Sequence, residues 1–178
     1  MLRRFAGVDL AVRTGVSQGD LEREAPAAKS LLLKITRPGG VPDVFLTQSN
    51  AVLRYIATLR PTSLLYGRTE FESALVDQWL ETCWHEFEVP VEAIALAAGN
   101  SAVITESKHH LLAFLAIANT RLAQKTYLGA ERITIADISL ATVAEPLLKG
   151  ASGAAAAAST GGVRLLSSKD IEGLAHVM

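Results

Sequence analysis

The chain has 178 residues, of which 49% are apolar, and its formal net charge at pH 7 is −1. A chain of this length can bury a substantial core, and its near-neutral charge argues against nucleic-acid binding driven by bulk charge. With Cys83 as its one cysteine and no apolar run near the roughly 20 residues of a membrane span, it is expected to be cytoplasmic, without a disulfide or a membrane partner.

The N-terminal part is predicted to contain short strands. Residues 1–5 have the composition of a mitochondrial presequence start, but residues 8–12 alternate like a strand, which argues against a cleaved leader. A buried strand is predicted over 30–36 and an antiparallel partner over 44–47. The Pro- and Gly-rich stretch 37–43 between them is typical of a hairpin turn.

An amphipathic helix is predicted directly after the second of these strands. Ser49 can cap a helix that begins at Asn50, because its hydroxyl can accept one of the orphan amide protons. Apolar residues then recur at helical spacing, at Val52, Ile56 and Leu59. Pro61 ends the helix, and residues 62–69 form a linker.

Beyond the linker the pattern becomes helical. A long helix is predicted to begin at Glu70, with Pro90 kinking or breaking it. Its broad apolar face comprises Val76, Trp79, Leu80, Cys83, Trp84 and Phe87. Further helices are predicted over 107–124 and 134–149. Strands followed by helices predict a mostly α, α+β chain.

The C-terminal segment differs in composition. Residues 150–162 are Gly, Ala, Ser and Thr, which cannot bury enough apolar surface to offset the ordering entropy. The predicted organisation is an α/β half over 1–61, the linker, a helical domain over 70–149, and a low-complexity segment with a short final helix over 150–178.

Thr134 and Asp137 have the spacing of a capping box. In that motif the Thr134 hydroxyl accepts from the Asp137 amide, and the Asp137 carboxylate accepts from the Thr134 amide. Such a pair stabilises the start of a helix by about 1–2 kcal/mol. Its predicted role is therefore structural.

The pair Gln48–Ser49 at a helix start, with Thr126-Tyr127-Leu128-Gly129 before the capping box, resembles the glutathione-transferase-like family. The resemblance covers residues 5–149 and implies a truncated thioredoxin-like half followed by an all-helical half. In active members the corresponding Glu-Ser or Gln-Ser pair grips the γ-glutamyl end of glutathione. Gln48 and Ser49 would then be a vestigial glutathione site.

Two other elements of the family's glutathione site are not found. No Tyr, Ser, Thr or Cys that could activate the glutathione thiol precedes Thr14. Leu31 occupies the position of the family's cis-proline, and a non-proline cis bond costs about 3 kcal/mol. Pro42 is interpreted as part of the hairpin turn. Helix capping is therefore favoured over ligand binding for Ser49, and no catalytic residue or cofactor is expected.

The stretch from Leu65 to Glu86, with its Val-Asp-Gln-Trp-Leu core at residues 76–80, resembles the corresponding region of elongation factor 1 gamma. Appended domains of aminoacyl-tRNA synthetases and their scaffold proteins are similar. This resemblance implies a non-catalytic interaction module of the translation machinery. The alternatives are a glutathione transferase, a synthetase-associated docking domain, or a divergent fragment without a stable function.

The implied partners are translation factors or synthetase subunits that carry similar domains, with a homodimer as a further option and no direct nucleic-acid contact. The predicted contact residues are Arg54, Tyr55, Arg60, Phe71, Glu72 and Asp77. His85 and Glu86 are neighbours on a helix and do not face each other, so a polar surface is favoured there. His109 and His110 lack an i,i+4 partner, so no metal site is expected.

Overall fold

The computed structural model describes residue 7 and residues 9–14, 16–26, 31–37 and 39–151, with side chains described up to Glu145. It divides into two compact units, Met1–Tyr66 and Gly67–Met178, and the boundary lies inside the predicted linker. The predicted low-complexity segment lies outside the described residues, except that the backbone of 150 and 151 continues the last helix. None of the described helices has the length and apolar character that a membrane span requires.

The described part of the first unit contains two short strands and two helices. Helix α1 spans Gln18–Glu24, strand β1 Leu32–Ile35, strand β2 Val44–Thr47 and helix α2 Ser49–Thr58, followed by a 3₁₀ turn at Pro61–Ser63. Residues 9–12 form no strand. The prediction of a strand there was wrong, because the described sheet has only β1 and β2 and offers these residues no pairing partner.

Strands β1 and β2 form the predicted antiparallel hairpin, in a register that runs from Leu32 opposite Thr47 to Ile35 opposite Val44. Side chains close the turn. The Arg37 guanidinium donates to the Pro42 carbonyl, with its Nη2 at 2.7 Å. The Lys34 ammonium lies 2.9 Å from Asp43 Oδ2. The hairpin therefore fixes the position at which β2 ends and α2 begins.

The second unit is helical. Helix α3 spans Glu70–Cys83 and continues through a π-helical turn at Trp84–Glu88 into α4 at Val89–Leu96. Helix α5 spans Ser101–Gln124 and α6 spans Ile135–Ala151. Helix α3 packs against α6, and α4 packs against α5.

The long helix does not end at Pro90, so of the two predicted outcomes, a kink or a break, the break does not occur there. Proline lacks an amide donor and crowds the carbonyl four residues before it. Here the π-helical turn precedes it and Pro90 is the second residue of α4, where an amide donor is not needed. The proline is thus accommodated in the long helix by a local change in helix type.

The buried face of the long helix is narrower than predicted. Val76, Leu80, Cys83 and Phe87 are buried, and Phe87 stacks on Phe114 of α5 with ring centroids 5.2 Å apart. Trp79 is only half-buried, and Trp84 is 38% exposed. The π-helical turn that begins at Trp84 interrupts the α-helical spacing, so Trp84 does not continue the buried face. Trp84 is therefore a surface residue.

Helix α5 begins six residues earlier than predicted, at Ser101 instead of Ser107. Asn100 caps it, because its Oδ1 accepts from the amides of Ala102 at 3.1 Å and Val103 at 3.4 Å. Leu111 and Leu115 are buried in the core. The cap residue was readable in the sequence, and the polar residues that follow it obscured the periodicity.

Candidate functional site

The Gln48–Ser49 pair lies at the junction of β2 and α2 in the first unit. Ser49 is already the first residue of α2, and Gln48 is the N-cap residue, although its side chain makes no capping hydrogen bond. The helix starts with the bond from the Val52 amide to the Gln48 carbonyl, at 3.1 Å. The prediction that Ser49 caps a helix beginning at Asn50 was therefore wrong, because Ser49 lies inside the helix.

Gln48 has an unusual backbone conformation, with φ 71° and ψ 124°. A positive φ is strained for a residue with a Cβ and costs on the order of 1–3 kcal/mol. Gln48 is exposed, and Ser49 is half-buried with no hydrogen-bond partner for its hydroxyl among the described residues. The strained turn thus presents a hydroxyl and the amides of a helix N-terminus, groups that can hold a carboxylate.

The position of the family's cis-proline lies just before β1. Leu31 is 41% exposed there, and the peptide bond that precedes it involves Ser30, which lies outside the described residues. The described residues contain no cis peptide bond. Pro42 has a trans bond, and its carbonyl accepts from Arg37, in agreement with its interpretation as part of the turn.

Asp137 organises a buried polar node in the second unit. Its Oδ2 accepts from the Thr134 amide and from the Thr134 hydroxyl, and its Oδ1 accepts from the Leu128 amide, each at 2.8 Å. One half of the capping box therefore has the predicted geometry. The other half differs, because the Thr134 hydroxyl donates to the carboxylate instead of accepting from the Asp137 amide.

The loop before α6 is held against α3 at two further points. A Cβ on Gly129 would lie 2.9 Å from Val76 Cγ2, so no larger residue fits without a shift. Arg132 Nη1 lies 2.7 Å from Glu72 Oε2, and the Arg68 amide also donates to this carboxylate at 2.7 Å. The hydrogen bond from Arg132 and the one from Arg68 lower the pKa of Glu72.

The predicted contact residues differ in their surroundings. In the first unit, Arg54 and Tyr55 are half-buried and Arg60 is exposed. In the second unit, Phe71 is 73% exposed and Asp77 is half-buried. Glu72 has its carboxylate engaged by Arg132 and Arg68, and its role as a contact for a partner stays a prediction.

The histidine side chains contact acidic and aromatic residues of the second unit. His110 Nδ1 lies 3.1 Å from Glu86 Oε2, and His110 Nε2 lies 3.5 Å from Glu106 Oε1. The His85 ring lies against Trp84, with centroids 4.6 Å apart. No group of three or more His, Cys, Asp or Glu residues that could hold a metal ion occurs in the described part of the chain.

Cys83 is an unreactive thiol in this setting. It is buried in α3, and burial raises its pKa to about 12. The hydroxyl of Ser139 lies 3.9 Å from its sulfur and has the smaller, opposite effect. Because the thiolate is the nucleophilic form, Cys83 is not a candidate catalytic group at neutral pH.

Comparison with known proteins finds relatives of two kinds, while no family model matches. The chain is 30% identical over 115 residues to glutathione S-transferase 4 of Zea mays, an alignment that covers 60% of this chain and 52% of the relative. It is 35% identical over 99 residues to elongation factor 1-gamma of Trypanosoma cruzi, covering 53% and 23%. The bifunctional glutamate/proline–tRNA ligase of Cricetulus griseus is 28% identical over 121 residues, covering 68% and 6%.

Solved structures agree on the fold. Poplar glutathione transferase F1 has a TM-score of 0.51 at 26% identity, over 59% of this chain and 53% of that one. The bacterial glutathione transferase BphK has a TM-score of 0.71 at 20% identity, over 83% and 76%. The chain is similar in sequence to glutathione transferases and to elongation factor 1-gamma, and it has a glutathione-transferase-like fold, mostly helical with a small two-stranded sheet in its described part. It spans about half the length of the plant glutathione transferases that it matches, and less of the translation proteins.

Proposed function

We propose that the chain is a non-catalytic interaction module of the translation machinery, similar to elongation factor 1 gamma. The observation that carries the proposal is the 35% identity over 99 residues with the elongation factor of Trypanosoma cruzi. The resemblance to a bifunctional tRNA ligase supports the same class of role. The role that we propose for a domain similar to both is association with other proteins of the translation machinery.

The site geometry supports a role without glutathione chemistry. Of the family's glutathione contacts, the described residues retain Gln48–Ser49, while Leu31 replaces the proline. Cys83 is the only thiol in the chain, and it lies buried in the second unit with a raised pKa. The proposed module therefore needs no cofactor.

The proposed partners are translation factors or synthetase subunits that carry glutathione-transferase-like domains, with a homodimer as the alternative assembly. Each unit offers a surface for them. Arg54, Tyr55 and Arg60 lie on or after α2 in the first unit, and the exposed Phe71 lies at the start of α3 in the second. An exposed aromatic ring is a suitable centre for a transient interface.

The test is affinity capture from a cell extract with the full chain as bait, followed by mass spectrometry. We expect elongation-factor or synthetase subunits to be enriched, and Arg54→Glu with Arg60→Glu to abolish their recovery at unchanged helicity. The matched control is Arg13→Glu with Arg23→Glu, which makes the same charge change elsewhere in the first unit. Recovery of no translation component with the unaltered chain contradicts the proposal.

Glutathione conjugation is a second candidate function, favoured by one specific observation. Gln48 keeps a strained backbone although neither Gln48 nor Ser49 caps the helix with its side chain, and such strain is concentrated at functional sites. The identity with the maize enzyme supports the same candidate. Its test is turnover of chlorodinitrobenzene with glutathione, compared with Ser49→Ala. A rate equal to that of buffer for the unaltered chain rejects this candidate.

A further inference from the structure

We infer that the outer face of the helix formed by α3, the π-helical turn and α4 is a docking surface for a positively charged amphipathic segment of a partner protein. The surface is defined by Trp84, Glu88, Val89, Glu92 and Leu96, and is called the acidic face below. It lies within the second unit. It is independent of the translation role, because it rests on the charge and exposure of these side chains.

The charge of the chain is unevenly distributed. Residues 69–107 contain no lysine or arginine, although the whole chain has a net charge of only −1. Between residues 70 and 96 the helix carries Glu70, Glu72, Asp77, Glu81, Glu86, Glu88 and Glu92. This long helix is therefore strongly acidic and has histidine as its only basic side chain.

Three cations elsewhere in the second unit are engaged in other contacts. Arg132 pairs with Glu72 at the start of α3, and Lys125 pairs with Glu131 at 2.6 Å. Arg121 donates to the Leu128 carbonyl at 3.0 Å. Three of the unit's described cations are thus used in the loop before α6, and none of these contacts neutralises Glu88 or Glu92.

The two carboxylates at the centre of the acidic face repel each other. Glu88 and Glu92 are an i,i+4 pair, a spacing at which like charges destabilise a helix. Partial burial raises the pKa of Glu88, and the negative charge of Glu92 raises it further. A cation placed between them would remove this repulsion, so the arrangement favours a positively charged ligand.

Apolar side chains give the acidic face its second feature. Trp84 is 38% exposed, Val89 42% and Leu96 74%. Val89, Glu92 and Leu96 follow one another at i, i+3 and i+7, so they share one side of α4. From Trp84 to Leu96 the surface extends about 18 Å at 1.5 Å per residue. A partner helix of three to four turns matches this length.

The same features disfavour other occupants. A second copy of the chain in a two-fold arrangement would bring the acidic face against its own carboxylates, which costs free energy. Nucleic acid and anionic membranes carry negative charge and would be repelled. A basic amphipathic helix complements both features, because its cations can meet Glu88, Glu92 and the Trp84 ring while its apolar side meets Val89 and Leu96.

The test uses the full chain and a labelled synthetic peptide of about four helical turns, with leucine and lysine placed on opposite faces. Fluorescence anisotropy at physiological salt should show saturable binding. Glu88→Lys with Glu92→Lys is expected to weaken the affinity at least about tenfold, and Trp84→Ala is expected to weaken it several-fold. A second variant, Glu88→Gln with Glu92→Gln, removes the charge with less risk to folding and should weaken binding in the same direction.

Matched controls separate this site from general attraction to an acidic protein. Glu22→Lys with Glu24→Lys makes the same charge change on α1, and Ile117→Ala removes a 58% exposed apolar side chain from α5. Both should change the affinity by less than about twofold. The inference is overturned if the unaltered chain does not bind the peptide or if the α1 charge reversal weakens binding as strongly. It is also overturned if sedimentation shows dimers that Trp84→Ala dissociates.

Discussion

Arg132 and Glu72, 60 positions apart in the sequence, form an ion pair of 2.7 Å in the second unit. It joins the loop before α6 to the first turn of α3. The Glu72 carboxylate also accepts the Arg68 amide, so a single side chain holds the residue before the cap of α3 and a distant loop. Both groups are only 25% exposed, which limits screening by solvent.

The Glu72 contact predicts how stability depends on pH. Because the hydrogen bonds from Arg132 and Arg68 lower the pKa of Glu72 in the folded chain, its contribution is present above the unfolded pKa. It is lost as the pH falls through the folded pKa, below the ordinary glutamate value of about 4.3. We therefore expect Glu72→Gln to lower the urea midpoint at pH 7, and the difference from the unaltered chain to shrink as the pH is lowered below about 4.3.

Glu131→Gln is the control for this prediction. A hydrogen bond from Lys125 also lowers the pKa of Glu131, but the Glu131 side chain is 76% exposed. Solvent screening should make its effect on the urea midpoint smaller. Equal effects of the two substitutions at pH 7 would show that the Arg132 contact stabilises the fold no more than the exposed Lys125 contact does.

Asp137 is expected to be one of the most sensitive positions in the chain. Asp137→Ala leaves the Leu128 amide and both donors of the fully buried Thr134 without their acceptor. The free energy of unfolding should fall by about 2–4 kcal/mol, more than the loss of a simple helix cap. Urea denaturation followed by circular dichroism measures this change.

A double-mutant cycle distinguishes the observed geometry from the capping box predicted by the sequence. In the structure the Thr134 hydroxyl donates to the Asp137 side chain, so Thr134→Val and Asp137→Ala should be coupled by at least about 0.5 kcal/mol. In a standard box that hydroxyl would accept from the Asp137 backbone. Additive effects of the two substitutions would favour the standard box.

Local chemistry made much of the fold predictable. Strand β2 has the predicted bounds, because a turn rich in Pro and Gly precedes it and a polar helix start follows it. The Thr134–Asp137 pair is found because its partners lie three residues apart. By contrast, the Arg132–Glu72 pair joins distant segments, and no periodicity or spacing in the sequence signals it.

The errors also have physical causes. Regular α-helical spacing places Trp84 on the apolar face, but the π-helical turn at Trp84–Glu88 interrupts that spacing and leaves Trp84 38% exposed. The strand pattern at residues 8–12 was read from alternation, which cannot reveal whether a neighbouring strand is available. The strain at Gln48 depends on how β2 enters α2, and a glutamine at that position gives no warning of it.

Gly129 is expected to be intolerant of even one methyl group. In Gly129→Ala the new Cβ would lie 2.9 Å from Val76 Cγ2, and Val76 is fully buried. The free energy of unfolding should fall by about 1–3 kcal/mol, and Val76→Ala in the same chain should recover part of that loss. Gly19→Ala in α1 is the control, because a Cβ at this position would have no neighbouring atom within 4 Å. It should raise the free energy of unfolding by about 0.5–1 kcal/mol. The same sign for both substitutions would contradict the packing described here.

The backbone of Gln48 gives the last prediction, since glycine adopts its φ of 71° without strain. Gln48→Gly should raise the free energy of unfolding by about 1 kcal/mol, the relief of strain exceeding the added entropy of the unfolded chain. Gln78→Gly, on the exposed side of α3, is the control and should lower it by about 1 kcal/mol. Thermal and urea unfolding of the two variants measure both changes.

Because the proposed interaction module does not use this turn for chemistry, the Gln48→Gly variant should recover partner proteins at the level of the unaltered chain. A stabilised variant that has lost chlorodinitrobenzene turnover present in the unaltered chain would instead favour the glutathione transferase.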